Sequence, residues 1–93
     1  MSKPEVTIRY CPRCGWLLRA AWLAQELLST FADNLSCVRL EPAGSGVFHI
    51  YCGDNELWER QKDSGFPEAK VLKQRLRDVI APERHLGHSE RKR

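Results

Sequence analysis

Cys11 and Cys14, in the run Cys-Pro-Arg-Cys, are the residues of this sequence best suited to chemistry. Two intervening residues let the sulfurs reach disulfide distance across one tight turn. The pair can then alternate between dithiol and disulfide. The thiolate is the reactive species, and a helix start favours it because unpaired N–H groups and the helix dipole stabilise an anion. The hydropathy pattern turns helical close behind the motif, which puts Cys11 near that start. Arg13 adds a positive charge, and Pro12 restricts the turn. One motif thiol is therefore expected to titrate below the roughly 8.5 of a free cysteine. A zinc module is the weaker reading of the cysteines. Cys37 and Cys52 follow at long intervals and form no second Cys-x-x-Cys.

Positioning the pair requires a strand before it and a helix after it. Val6-Thr7-Ile8-Arg9-Tyr10 alternates apolar and polar residues, the period of a strand with one buried face, and runs directly into Cys11. Residues 14–33 then read as a helix, with Leu17, Ala20, Ala21, Ala24, Leu27, Leu28 and Phe31 on one apolar face. At 100° per residue Trp22 falls on the opposite, polar arc with Leu18 beside it. Asn34 is a helix stop. Residues 36–41 alternate again, and Pro42-Ala43-Gly44-Ser45-Gly46 is a turn. Residues 47–52 form the strongest strand pattern, and Gly53-Asp54-Asn55 turns into a shorter strand over 56–60. Pro67 suits the first turn of a second helix, with Leu72, Leu76, Val79 and Ile80 as its buried stripe, and Pro82 ends it.

The order strand, helix, strand, strand, strand, helix gives an α/β fold. A βαβ unit supplies two parallel strands, a hairpin adds antiparallel ones, and both helices cover one face of a mixed four-stranded sheet. Ninety-three residues make one domain, here residues 1–82, with a loose basic tail over 83–93. The net charge is +3, and that tail, with four basic and two acidic residues, carries most of it. A nucleic-acid binder concentrates Lys and Arg on a folded face, so nucleic acid is not expected as a partner. No apolar run approaches the roughly 20 residues of a membrane span, and no signal-like stretch opens the chain. A soluble, cytoplasmic protein, monomeric or weakly self-associating, is expected.

Three further stretches carry a resemblance. Val6 to Cys14 with its Cys-Pro-Arg-Cys, then Gly44-Ser45-Gly46-Val47-Phe48, then Gly65-Phe66-Pro67-Glu68-Ala69-Lys70 occur here in order. Together with Leu86-Gly87-His88-Ser89 they resemble the selenoprotein W, T and H family of thioredoxin-like proteins, in particular its bacterial selenoprotein W-like members. The resemblance covers nearly the whole chain. It implies a thioredoxin-like two-layer sandwich and a redox protein that depends on glutathione or another thiol, acting on protein disulfides or peroxides. Selenocysteine members carry that residue at the second motif position, here Cys14, so this chain is similar to an all-cysteine version. The helix-start reading favours Cys11 as the attacking sulfur and the family pattern favours Cys14; both are candidate catalytic residues. The proline that flanks the active site of ordinary thioredoxins has Pro42 as its nearest counterpart.

The remaining candidates have ordinary readings. Cys37 and Cys52 stand at strand ends and behave as small hydrophobes. His49 shares a strand face with Val47 and Tyr51, and one His without a partner makes no catalytic site. Leu18 and Trp22 form an exposed apolar pair close to the motif, a candidate docking surface. Two functions follow. One is a thiol–disulfide oxidoreductase or thiol-dependent peroxide reductase. The other is a non-catalytic redox sensor or adaptor that changes partners when its thiol pair oxidises.

Overall fold

A computed structural model describes residues 3–86 of the chain. The elements are β1 (Glu5–Tyr10), α1 (Leu17–Phe31), β2 (Cys37–Pro42), β3 (Phe48–Cys52), β4 (Asn55–Glu59) and α2 (Ala69–Ile80). The sheet order is β2-β1-β3-β4. β1 runs parallel to β2, aligning Val6 with Val38 and Ile8 with Leu40. It runs antiparallel to β3, aligning Ile8 with Ile50 and Tyr10 with Phe48. Apolar residues of three strands therefore fall on one face of the pleat, because side chains alternate with a period of two.

Both helices cover that face. Val6, Ile8, Tyr10, Phe48, Ile50 and Leu57 of the sheet form one cluster with Leu23, Leu27 and Phe31 of α1 and Leu72 and Leu76 of α2. Each such side chain contributes about 1.5–3 kcal/mol on burial. The result is a two-layer, thioredoxin-like α/β sandwich with the expected element order. No helix of the described residues is long and apolar enough to cross a membrane.

α1 differs from its sequence pattern in start and in phase. It begins at Leu17, three residues later than the periodicity suggests, because residues 12–15 form a turn. Its buried residues are Ala20, Leu23, Ala24, Leu27 and Phe31, while Leu17 and Leu28 are exposed. Apolar residues occupy more than half of the helix circumference, so spacing alone left the centre of the buried arc open to a rotation of about 40°.

α2 begins after Pro67, not on it. Glu68 is the extended N-cap residue, and its carbonyl accepts the Leu72 N–H at 3.1 Å. The loop before α2 is held by side chains. Trp58 Nε1–H donates to Gly65 O at 2.8 Å, and Arg75 donates to Leu57 O at 2.8 Å and to Asp63 Oδ1 at 3.1 Å. The Asp63 carboxyl is held below the usual range, first by the Glu59 backbone N–H and then by Arg75.

The chain stays packed beyond α2. Arg84 donates to Asn34 Oδ1 at 2.8 Å and to Thr30 O at 2.7 Å, its guanidinium lies over the Phe31 ring, and Leu86 is buried. Residues 83–86 of the expected loose tail are thus tied to the C-terminal end of α1 by an apolar anchor and a cation over an aromatic face. Residues 87–93, with Gly87-His88-Ser89 of the family-like motif, lie outside the described residues.

Candidate redox site

β1 delivers Cys11 at its C-terminal end, and the turn that follows brings Cys14 back to it. The two are joined as a disulfide, with Cα atoms 5.3 Å apart. The turn is closed by the Gly15 N–H, which donates to Pro12 O at 3.0 Å. Gly15 has φ +78°, a left-handed conformation that a β-carbon disfavours. The Trp16 N–H then donates to Cys11 O at 3.4 Å, and Trp16 caps α1.

The two sulfurs are not equivalent. Cys11 is 0% exposed, whereas Cys14 is exposed together with Pro12 and Arg13. The backbone N–H of Cys14 donates to Cys11 Sγ at 3.2 Å, a contact that favours negative charge on the buried sulfur. Helix α1 starts six residues after Cys11, and the N–H that donates to the Cys11 sulfur is that of Cys14 in the turn before the helix.

Aromatic rings support the turn. Trp16, Phe48 and Phe66 meet edge to face, with centroids 4.9 Å (Trp16–Phe66), 5.0 Å (Phe48–Phe66) and 6.2 Å (Trp16–Phe48) apart. Two guanidiniums cap the group: Arg19 lies 4.0 Å from the Phe66 centroid and Arg60 5.2 Å from that of Trp16. Arg60 Nε–H also donates to Gly46 O at 3.1 Å, anchoring the loop before β3. Gly46 and Phe48 fall in the Gly44–Phe48 stretch and Phe66 in the Gly65–Lys70 stretch singled out in the sequence. Trp16, Arg19 and Arg60 carried no local signal, because their positions beside the pair depend on how the loops fold back.

Pro42 is level with Tyr10 on the β2 side of β1. The Ala43 N–H donates to Tyr10 O at 2.7 Å, and on the other side of β1 Phe48, the first residue of β3, is level with Tyr10. No peptide bond among the described residues is cis.

The other sequence candidates lie elsewhere. Cys37 is level with Glu5, at the far end of β1, and Cys52 is in the core, where burial pushes its thiol pKa up. His49 stacks near Tyr51 on the sheet face away from the helices, with Nε2 3.3 Å from Glu56 Oε1 but out of hydrogen-bond alignment. No three His, Cys, Asp or Glu side chains among the described residues gather to hold a metal ion. A cavity of about 710 Å³ opens between Glu5, Arg39, Tyr51, Cys52 and Ile80, and neither motif cysteine lines it. Leu18 and Trp22 stand on α1 close behind the motif, 81% and 49% exposed.

Comparison with known proteins agrees with this fold. The sequence matches the model of the Rdx family over residues 5–78. A Bordetella parapertussis protein of known structure is 57% identical, with a TM-score of 0.83, covering 85% of this chain and 100% of that one. A selenoprotein W-related protein from Vibrio cholerae is 52% identical, also with a TM-score of 0.83, covering 85% of this chain and 99% of that one. No curated protein matches the chain closely.

Proposed function

This chain belongs to the Rdx family, and from that premise we propose that it is a thiol–disulfide exchange protein in which Cys14 attacks and Cys11 resolves. One observation carries the order: in the bonded pair Cys14 is exposed and Cys11 is fully buried. Only an exposed sulfur can meet a second molecule's disulfide in line.

In the reduced protein the Cys14 thiolate attacks one sulfur of a substrate disulfide. That S–S bond breaks, and the departing sulfur leaves as a thiolate that takes up a proton. Cys11, as thiolate, then attacks Cys14 Sγ, forming the internal disulfide and releasing the second substrate sulfur, which is protonated in turn. Two electrons pass from the cysteine pair to the substrate. The reverse half-cycle uses a small thiol such as glutathione. Its thiolate attacks the exposed Cys14 Sγ, and Cys11 leaves as a thiolate that the Cys14 N–H stabilises. A second glutathione thiolate releases Cys14 and forms glutathione disulfide. Arg13, exposed between the cysteines, favours the Cys14 thiolate, and Pro12 limits the turn's freedom.

Single-cysteine variants test the order. Incubated with glutathione disulfide, Cys11→Ser should accumulate a mixed disulfide on Cys14, seen as an added glutathione mass, while Cys14→Ser should stay unmodified. The opposite pattern would reverse the roles. The sensor reading is favoured by the exposed Leu18–Trp22 surface, and turnover separates it. Repeated reduction of substrate in excess glutathione marks an enzyme, and a single oxidation followed by partner exchange marks a sensor.

A further inference from the structure

Helix α1 carries large apolar side chains among the residues that face solvent. Leu17, Leu18, Trp22 and Leu28 are all exposed. Leu18 and Trp22, four residues apart, lie on one line of the helix. That line begins four residues after the exposed Cys14. Large apolar side chains gathered in this way mark interaction surfaces more than solvated ones.

The charges near this line have one sign. Residues 6–25 contain Arg9, Arg13 and Arg19 and no acid, and residues 42–53 contain no acid. Arg9 pairs with Glu41, as Arg39 does with Glu5 and Arg75 with Asp63. Arg13 and Arg19 meet no carboxylate among the described residues, and Arg19 lies over Phe66. Arg60, over Trp16, adds a third cation at this end. Glu26, the first acid after Arg19 along the chain, is held by Lys73 at 2.9 Å. Arg13, next in sequence to the exposed Cys14, and Arg19, on the first turn of α1, are thus left without carboxylates among the described residues.

Resting on the exchange reading above, we propose that this face docks a protein substrate whose disulfide is flanked by acidic and large apolar side chains. The substrate segment lies along α1, its carboxylates meeting Arg13 and Arg19 and its apolar side chains covering Leu18 and Trp22, while its disulfide reaches Cys14. A second copy of the chain fits less well, because a symmetric contact through this face brings two cationic rims together. An anionic membrane would match the charge but offers no disulfide to the sulfur at the end of the line.

The test compares two short peptides with the same internal disulfide and the same apolar residues, one flanked by acids and one by lysines. Hydroxyethyl disulfide serves as the small neutral substrate. Reduced wild-type protein should react with the acidic peptide about tenfold faster than with the basic one at low salt. High salt should bring that ratio towards one. Arg19→Glu should abolish or invert the ratio, and Leu18→Ser with Trp22→Ser should slow both peptides relative to hydroxyethyl disulfide. Because these readouts are ratios, a general loss of activity or folding does not imitate them. Rapid reduction of hydroxyethyl disulfide with a peptide ratio near one overturns the docking proposal and leaves the exchange reading standing. If no disulfide is reduced, the exchange reading fails, and docking is judged by fluorescence anisotropy of the acidic peptide with serine in place of cysteine. Salt-sensitive binding that Arg19→Glu removes upholds the surface. No binding, or a preference for phosphatidylglycerol vesicles over the peptide, overturns it.

Discussion

The two helices pack on the same face of the sheet and turn opposite surfaces to water. α2 buries Leu72 and Leu76 and pairs charges around them, with Lys73 reaching Glu26 of α1, Arg75 on Asp63 and Arg77 on Asp78. α1 buries Ala20, Leu23, Ala24, Leu27 and Phe31, yet also leaves Leu17, Leu18, Trp22 and Leu28 exposed. Val79, expected in the buried stripe, is the one large apolar side chain that α2 exposes, against four on α1. A residue that folding does not require and that costs solubility points to a contact outside the chain. The exposed face of α1 is also the one that follows the redox turn.

The largest effect expected from this contrast is at the head of α1. Cys14→Ser should reduce exchange with any disulfide to background while leaving the melting transition of the reduced protein close to that of reduced wild type. A variant that retains measurable exchange would detach the chemistry from the α1 end.

Next is the buried face of α2. Leu76 is fully buried, so Leu76→Ala should lower unfolding free energy by about 2–5 kcal/mol in urea titrations. A loss under about 1 kcal/mol would show that α2 is held by its ion pairs, and the contrast between the helices would fail.

A smaller effect belongs to the loop that α2 clasps. The Asp63 carboxyl has a lowered pKa in the folded protein. Its contribution to stability is therefore fully present above the unfolded value of about 3.9 and is lost as pH falls through the lower folded value. The stability gap between wild type and Asp63→Asn should be constant near neutral pH, shrink below about pH 4 and then vanish. A gap that persists in strong acid would mean that the loss comes from packing, not from charge.

The smallest effect is expected at Trp22. With half its surface in water, Trp22→Ala should change stability by about 1 kcal/mol or less, against about 3–5 for a core tryptophan. A core-sized loss would make the outer face of α1 part of the fold and end the comparison.

Element order and sheet pairing were legible because β1 and β3 alternate cleanly and the turns at residues 42–46 and 53–55 carry Gly, Pro, Asn or Asp. The cysteine pair was legible from its spacing. The asymmetry between its sulfurs was not, since the burial of Cys11 is produced by the fold around it and by the way residues 12–15 turn away. The start of α1 was obscured for a local reason: Leu17 and Ala21 continue an apolar spacing that also fits a helix running back to Cys14. The three-ring support was illegible because it joins Trp16, Phe48 and Phe66 from three separate parts of the chain.

The central position of β1 also sets a schedule for synthesis. β1 lies between β2 and β3, and both follow it along the chain. As the chain leaves the ribosome, Cys11 emerges before either flanking strand exists to shelter it. At about 5–20 residues per second, the roughly 40 residues from Cys11 to the end of β3 take about 2–8 s to make. During that interval the sulfur that is inaccessible in the finished protein is as open as any thiol on a nascent chain. Cys14 remains accessible throughout, so a thiol-reactive label applied to stalled chains of increasing length should lose Cys11 once β3 has emerged and keep Cys14 at every length.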